Sequence, residues 1–236
     1  MNEVINFFLE PYRSAPVINI LLEFTAALFG VISVFYARKE NILVFPTGII
    51  STGIYVYLLS QWNLYGDLII NIYYTLMSIY GWYMWSKVID DKNHHIPITR
   101  TNTKDKIKTF LIFAFTSVFV IVVYRYYNVM PNDLNFKESL DYFLKNATSG
   151  SLTDFRKITP FLDTFTTGIF FGAMWLMANK KLENWTLWIA GNIVSIPLYF
   201  VKGFGFTGIQ YIIFLILAIF GYIEWKKYLN RNPLNS

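Results

Sequence analysis

Along the chain, long runs of apolar residues are broken by short polar stretches, and seven of the runs are long enough to cross a bilayer as helices. They cover residues 16–36, 42–59, 64–85, 107–124, 161–178, 184–201 and 206–225. A hydrocarbon layer takes about 20 helical residues, and only a helix or a closed barrel satisfies its own backbone there. The pattern therefore predicts an all-α membrane protein with seven transmembrane helices. Two breaks are longer than turns. Residues 86–106 are of mixed charge and read as a solvated loop. Residues 126–160 are long for a connector, and a short amphipathic helix is expected in them at residues 136–144.

Composition supports this picture. The chain is 55% hydrophobic and 15% charged, where a soluble domain carries about 25% charged residues. A single domain over residues 1–236 is expected. The net charge of +5 does not point to nucleic acid, because the basic residues sit at run ends and in loops. Of 20 Lys and Arg, 13 lie in loops one, three and five and the C-terminal tail, and 7 lie on the other side. The positive-inside rule puts the larger set in the cytoplasm, with the N-terminus outside and the C-terminus inside. The lack of cysteine excludes disulfides, thiolate catalysis and cysteine metal sites. Residues 1–13 are polar and acidic and lack the basic leader of a signal peptide, so the first run is expected to be retained.

The first half of the chain recurs in the second. Arg38-Lys39-Glu40-Asn41 with Gly48 parallels Lys181-Leu182-Glu183-Asn184 with Gly191. Tyr80-Gly81-Trp82-Tyr83-Met84-Trp85 parallels Phe220-Gly221-Tyr222-Ile223-Glu224-Trp225, and Glu23 parallels Asp163. The offsets agree to within about three residues, a small loop insertion. The reading is a three-helix repeat at residues 16–85, a linker helix at 107–124 and a second repeat at 161–225. An odd linker makes the two copies face the same way, as in transporters with parallel repeats.

Polar groups within such helices are costly in lipid and face the protein interior. The sixth run holds the densest set. Trp185, Trp188 and Asn192 fall on one face at helical spacing, with Gly191 beside them. The stripe reads either as a ligand wall or, for Trp185 above all, as an interfacial aromatic belt. Asn71 with Tyr74 and Gln210 with Tyr211 read either as ligand contacts or as helix–helix hydrogen bonds. Pro46 and Pro197 are expected to kink their helices. Glu23 and Asp163 read as proton-coupling groups or as fixed hydrogen-bond acceptors for a neighbouring Tyr or Trp. Asp67 and Glu224 lie near run ends and read as solvated. His94 and His95 read as loop residues before a metal pair. An aromatic, weakly charged cavity suits a flat ring carrying a sugar or amine, and a cationic ring gains cation–π attraction of about 0.5–2 kcal/mol. Phosphate would call for a deep Lys or Arg, and no run carries one.

At this point the motifs resemble those of the PnuC vitamin transporters. They are Trp185-x-x-Trp188-x-x-x-Asn192, Phe45-Pro46-x-Gly48-x-x-Ser51, Leu64-Tyr65-x-Asp67 and Tyr80-Gly81-Trp82-x-x-Trp85. The resemblance implies a three-plus-one-plus-three fold like that of the SWEET carriers, in a bacterial cytoplasmic membrane. It implies uptake of nicotinamide riboside by facilitated diffusion, with a cytoplasmic kinase trapping the product, or uptake of thiamine or riboflavin. Trp185, Trp188 and Asn192 would line the substrate site. Asn71 stands where many members have Gln, Gln210 matches a Gln of the second unit, and Phe45 stands where Trp is common. The expected partners are the vitamin, the lipid bilayer and, if it self-associates, a homo-oligomer; no cofactor, metal or nucleic acid is expected. A retinal protein would need a Lys in residues 206–225, which have none. A membrane enzyme would need clustered His, Cys or carboxylates, which the pattern does not supply. A seven-helix ligand-sensing receptor is the remaining alternative, and flux separates it from a carrier.

Overall fold

The computed structural model describes residues 13, 16–61, 65–88, 95–131 and 133–231. The polar stretch 1–12, Leu64 and His94 lie outside the described residues. Among the described residues, eight helices follow in order: α1 (Val17–Arg38), α2 (Val44–Gln61), α3 (Tyr65–Ser86), α4 (Thr103–Tyr126), α5 (Phe136–Ala147), α6 (Leu152–Ala178), α7 (Asn184–Val201) and α8 (Gly205–Arg231). Four of them, α1, α4, α6 and α8, are each long and apolar enough to cross a membrane. The described residues form no strand beyond two isolated bridges, one pairing Val88 with the exposed His95 and one pairing Thr99 with Lys181.

The expected short helix is α5. It opens on a capping box in which Asn135 and Glu138 bond each other's backbone N–H groups, satisfying two of the donors a helix start leaves free. Helix α6 corrects an expectation, since it begins at Leu152 rather than at residue 161 and runs through Pro160. Proline removes the N–H that would bond the carbonyl four residues back. That carbonyl, of Arg156, accepts the Thr159 hydroxyl at 2.9 Å instead, so the helix continues. Pro46 is a second correction: it falls in the first turn of α2, where its missing N–H would be unpaired anyway. Pro197 does lie inside α7.

The repeat is in register throughout. Val44 and Gln61 bound α2, and Asn184 and Val201 bound α7, a shift of 140 at both ends; Tyr65 and Gly205, which open α3 and α8, keep the same shift. The motif match of Arg38 with Lys181 is thus three residues out of register, and no loop insertion separates the copies. The structural counterpart of Glu40 is Lys180. Both take the same left-handed turn after their helix, with φ of 55° and 49°. Asn71 and Gln210, which fall at nearly matched places in the sequence, are also one residue out of register, and Asn71 corresponds to Tyr211.

The C-terminal ends of α1, α3, α6 and α8 meet at one end of the bundle. There the Trp85 indole N–H donates to the Met177 carbonyl at 3.3 Å, and the Trp225 indole N–H donates to the Ala37 carbonyl at 3.2 Å. Each is the other's counterpart across the repeat, so the two three-helix units point the same way. Glu40 and Lys180 join across the same seam at 2.7 Å, with the Lys180 ammonium 4.6 Å over the Trp85 ring. Lys180 is buried to 5% exposure, and a carboxylate with an aromatic face is the pairing such a charge requires. Within each unit a glycine of the third helix seats a ring of the second. A Cβ on Gly81 would lie 2.3 Å from Phe45, and one on Gly221 would lie 2.7 Å from Trp185.

Two outcomes test this packing. Gly81→Ala is expected to cost about 1–3 kcal/mol, because the buried Phe45 ring must move, while Gly53→Ala, with open space around it, is expected to be neutral or slightly stabilising. Thermal unfolding of the detergent-solubilised protein reads both. Trp85→Phe and Trp225→Phe are each expected to cost about 1 kcal/mol for the lost hydrogen bond, and by similar amounts.

Candidate functional site

The two units share a backbone plan but fill it differently. In the first unit, small hydroxyl residues bond helix to helix. Ser51 donates to the Ala26 carbonyl at 2.7 Å, Ser33 donates to the Val44 carbonyl at 2.7 Å, and the Thr52 and Thr75 hydroxyls share a bond of 2.7 Å. In the second unit the counterpart of Gly48 is Trp188, that of Gly30 is Phe170, and that of Ser51 is Gly191. Gly191 gives Phe170 its place, since a Cβ there would meet the ring at 2.2 Å.

The result is a column of rings. Trp188 stacks on Phe170 at 5.2 Å, Phe170 on Tyr211 at 6.1 Å, and Tyr211 on Tyr199 at 4.8 Å. The first unit reaches into it from α3. Tyr74 lies 6.4 Å from Trp188, and Tyr73 stacks face to face on Phe171 at 3.7 Å while its hydroxyl donates to the Phe171 carbonyl. Rings from α3, α6, α7 and α8 therefore converge between the units.

Asn192 stands beside this column. It is one turn along α7 from Trp188 and is buried to 2% exposure. Its counterpart Thr52 is satisfied by Thr75, but the counterpart of Thr75 is Leu215, which has no polar atom to offer. The Asn192 carboxamide thus lacks the partner that its unit-one equivalent has. One turn further, Ser195 is fully buried with its hydroxyl unpartnered. A buried unmet polar group costs about 1–3 kcal/mol, so the Ser195 hydroxyl, with the Asn192 carboxamide on the same face, marks a surface suited to a polar ligand.

The structure brings together Trp188, Asn192, Tyr211 and Tyr74 of the residues singled out in the sequence. Gln210 lies to one side, its amide 3.5 Å from the Ala27 carbonyl of α1. The Asn71 amide donates to the Asp67 carbonyl of its own helix at 2.9 Å. Trp185 and Phe45 do not enter the column. They are buried at the lysine-rich end, Trp185 edge-on to Trp225 at 5.5 Å and Phe45 edge-on to Trp85 at 5.0 Å. Sequence reasoning passed over Phe170, Phe171, Ser195 and Tyr199. Ser195 and Tyr199 extend the stripe of Trp188 and Asn192 at helical spacing, and that spacing was the available signal.

At the opposite end of the bundle, Asp163 of α6 pairs with Lys202, with Tyr124 of α4 within electrostatic range. Glu224, read as solvated, pairs with Arg38 at 3.2 Å, and Asp67 is exposed. A separate cavity of about 350 Å³ opens on the flank between α4, α6 and the start of α7, lined by Phe110, Phe113, Ile169 and Leu187 among others. It does not include the aromatic column.

Comparison with known proteins agrees with this architecture. A nicotinamide riboside transporter PnuC of Escherichia coli is 23% identical over 209 residues, which cover 86% of this chain and 84% of that one. A PnuC of Neisseria mucosa is 26% identical over 214 residues, covering 88% and 72%. A riboflavin/roseoflavin transporter RibM of Streptomyces davaonensis is 22% identical over 153 residues, covering 63% and 58%. The crystal structure of a vitamin B3 transporter PnuC superposes with a TM-score of 0.62 at 22% identity, over 92% of this chain and 83% of that one, so the fold is shared. The protein is a multi-pass membrane protein. The sequence model of the nicotinamide mononucleotide transporters matches residues 20–227, nearly all of the helical region, and the chain belongs to that family, the one that takes in the PnuC transporters.

Proposed function

We propose that this protein carries nicotinamide riboside across the bacterial cytoplasmic membrane. The observation that carries the reading is the Asn192 carboxamide, buried without the partner its counterpart enjoys, beside a column of rings. A pyridinium ring gains cation–π attraction from an indole, and its carboxamide complements that of Asn192 in donor and acceptor. Trp188, Asn192, Tyr74 and Tyr211 are the proposed contacts, with Gln210 and Asn71 at the margin and Trp185 and Phe45 supporting the walls. The electrostatics favour the nucleoside over its phosphate. Lys202 is already paired with Asp163, and Asp67 adds a second carboxylate within range of that pair, so an entering phosphate meets net negative charge.

In this reading all seven long helices span the bilayer as one transporter domain. Helices α1–α3 and α6–α8 are parallel repeats around the linker α4, an arrangement like that of the SWEET carriers. The lysine-rich end with the C-terminus faces the cytoplasm, and the N-terminus lies outside. Transport in this reading is facilitated diffusion, and a cytoplasmic kinase that phosphorylates the product prevents its return. Such a chain works as a carrier rather than an enzyme. Riboflavin, favoured by the likeness to RibM, or thiamine is the second reading.

Proteoliposomes bearing the protein are expected to equilibrate labelled nicotinamide riboside saturably, without accumulation beyond equilibrium unless a riboside kinase is enclosed. Trp188→Ala and Asn192→Ala are each expected to weaken binding about tenfold, the scale of one lost cation–π or hydrogen-bond contact. Trp185→Ala is expected to lower thermal stability instead. Saturable uptake of thiamine or riboflavin with none of nicotinamide riboside reassigns the substrate.

A further inference from the structure

The end of the aromatic column already holds a cation. Lys202, the C-cap of α7, is half-buried, and its ammonium lies 5.6 Å over the Tyr199 ring while pairing with the Asp163 carboxylate. Tyr199 is the terminal ring of the stack that continues through Tyr211 and Phe170 to Trp188. Tyr124 of α4 and exposed Asp67 of α3 lie within electrostatic range of this pair. One turn inward on α7, the fully buried Ser195 hydroxyl has no partner. An anion on α6, an aromatic face and an unmet hydroxyl on α7, with Asp67 of α3 and Tyr124 of α4 beside them, are the elements of a site for a flat organic cation.

We propose that this is a second, outer binding site on the route to Trp188 and Asn192, selective for cationic rings, and that Lys202 is its tethered competitor. The inference rests on the reading that the protein carries a pyridinium nucleoside. In the empty protein the lysine neutralises Asp163 and covers Tyr199. An arriving pyridinium takes the lysine's place on the ring and the carboxylate, and Asp67 supplies the attraction that draws it in. When the ligand moves inward, Lys202 returns and closes the route behind it. A neutral ring has no means of displacing an ammonium from a carboxylate, so the site discriminates by charge, while the inner site adds shape and hydrogen bonding to its cation–π contact.

The test compares nicotinamide riboside with its reduced form, whose dihydropyridine ring is neutral and nearly the same shape, by calorimetry on the purified full-length protein. Lys202→Met is expected to tighten binding of the cationic riboside about threefold or more relative to the reduced form, and Lys202→Arg, which keeps the tethered charge, to leave the ratio as in the parent. Asp67→Asn, at an exposed position that packing does not depend on, is expected to weaken the cationic ligand about threefold and spare the neutral one; it decides the matter if Lys202→Met does not fold. Equal changes for both ligands in Lys202→Met, or in Asp67→Asn, overturn this inference while leaving the carrier reading intact. A parent protein that binds neither ligand overturns the carrier reading, and this inference with it.

Discussion

The last carbonyls of a helix have no donor within the helix, and where they are buried no water makes up the loss. At the lysine-rich end, two helices that finish there, α1 and α6, solve this by exchange. The Ala37 carbonyl accepts the Trp225 indole and the Met177 carbonyl accepts the Trp85 indole, while each also accepts a backbone N–H from its own left-handed turn, Glu40 or Lys180. Each unit is therefore completed by its counterpart. Because Glu40 and Lys180 occupy equivalent positions and bond to each other, they lie on the axis that relates the two units. The rest of the bundle is arranged about that seam.

Symmetry explains the frame, and its breaking explains the site. Two copies filled alike would leave either two hydroxyl-bonded cores or two aromatic ones. Here the first copy keeps Gly30, Gly48, Ser51 and Thr52, whose small size lets helices close on one another through side chain–carbonyl bonds. The second carries Phe170, Trp188, Gly191 and Asn192 at the same positions. Rings that are too large for one unit project toward the other and meet Tyr73 and Tyr74 there. Asn192 is left without its expected partner for the same reason, since the exchange of Thr75 for Leu215 removes it. The two ends of the bundle repeat one chemical device, an ammonium held on an aromatic face by a carboxylate. At the axis Lys180 is buried and structural; at the far end Lys202 is half-buried, where exchange with a ligand is open to it.

Much of this was legible in the sequence. Each of the seven apolar runs coincides with a long helix among the described residues, four of them long and apolar enough to cross a membrane, and α7 matched its expected bounds, because hydrophobic length is a local property. The start of α6 was not legible, since Pro160 signals a break and only the neighbouring Thr159 hydroxyl shows why the helix survives it. The repeat was visible, but its register was not: Arg38-Lys39-Glu40-Asn41 and Lys181-Leu182-Glu183-Asn184 agree in chemistry at a spacing that the backbone does not use. Trp188 and Asn192 stood out because indoles and carboxamides are rare together in apolar helices. Trp185 shared their face and their residue type, and only packing against Gly221 tells it apart. Phe170 carries no polar atom, and its place in the column depends on the absence of a side chain at Gly191, twenty-one residues away in sequence.

The most direct measurement is an experimental structure of the protein with nicotinamide riboside bound. The account expects the pyridinium ring within the aromatic column, against Trp188, with its carboxamide on Asn192 and both three-helix units contributing contacts. Density for the ligand in the flank cavity between α4 and α6, with Asn192 unengaged, would contradict it.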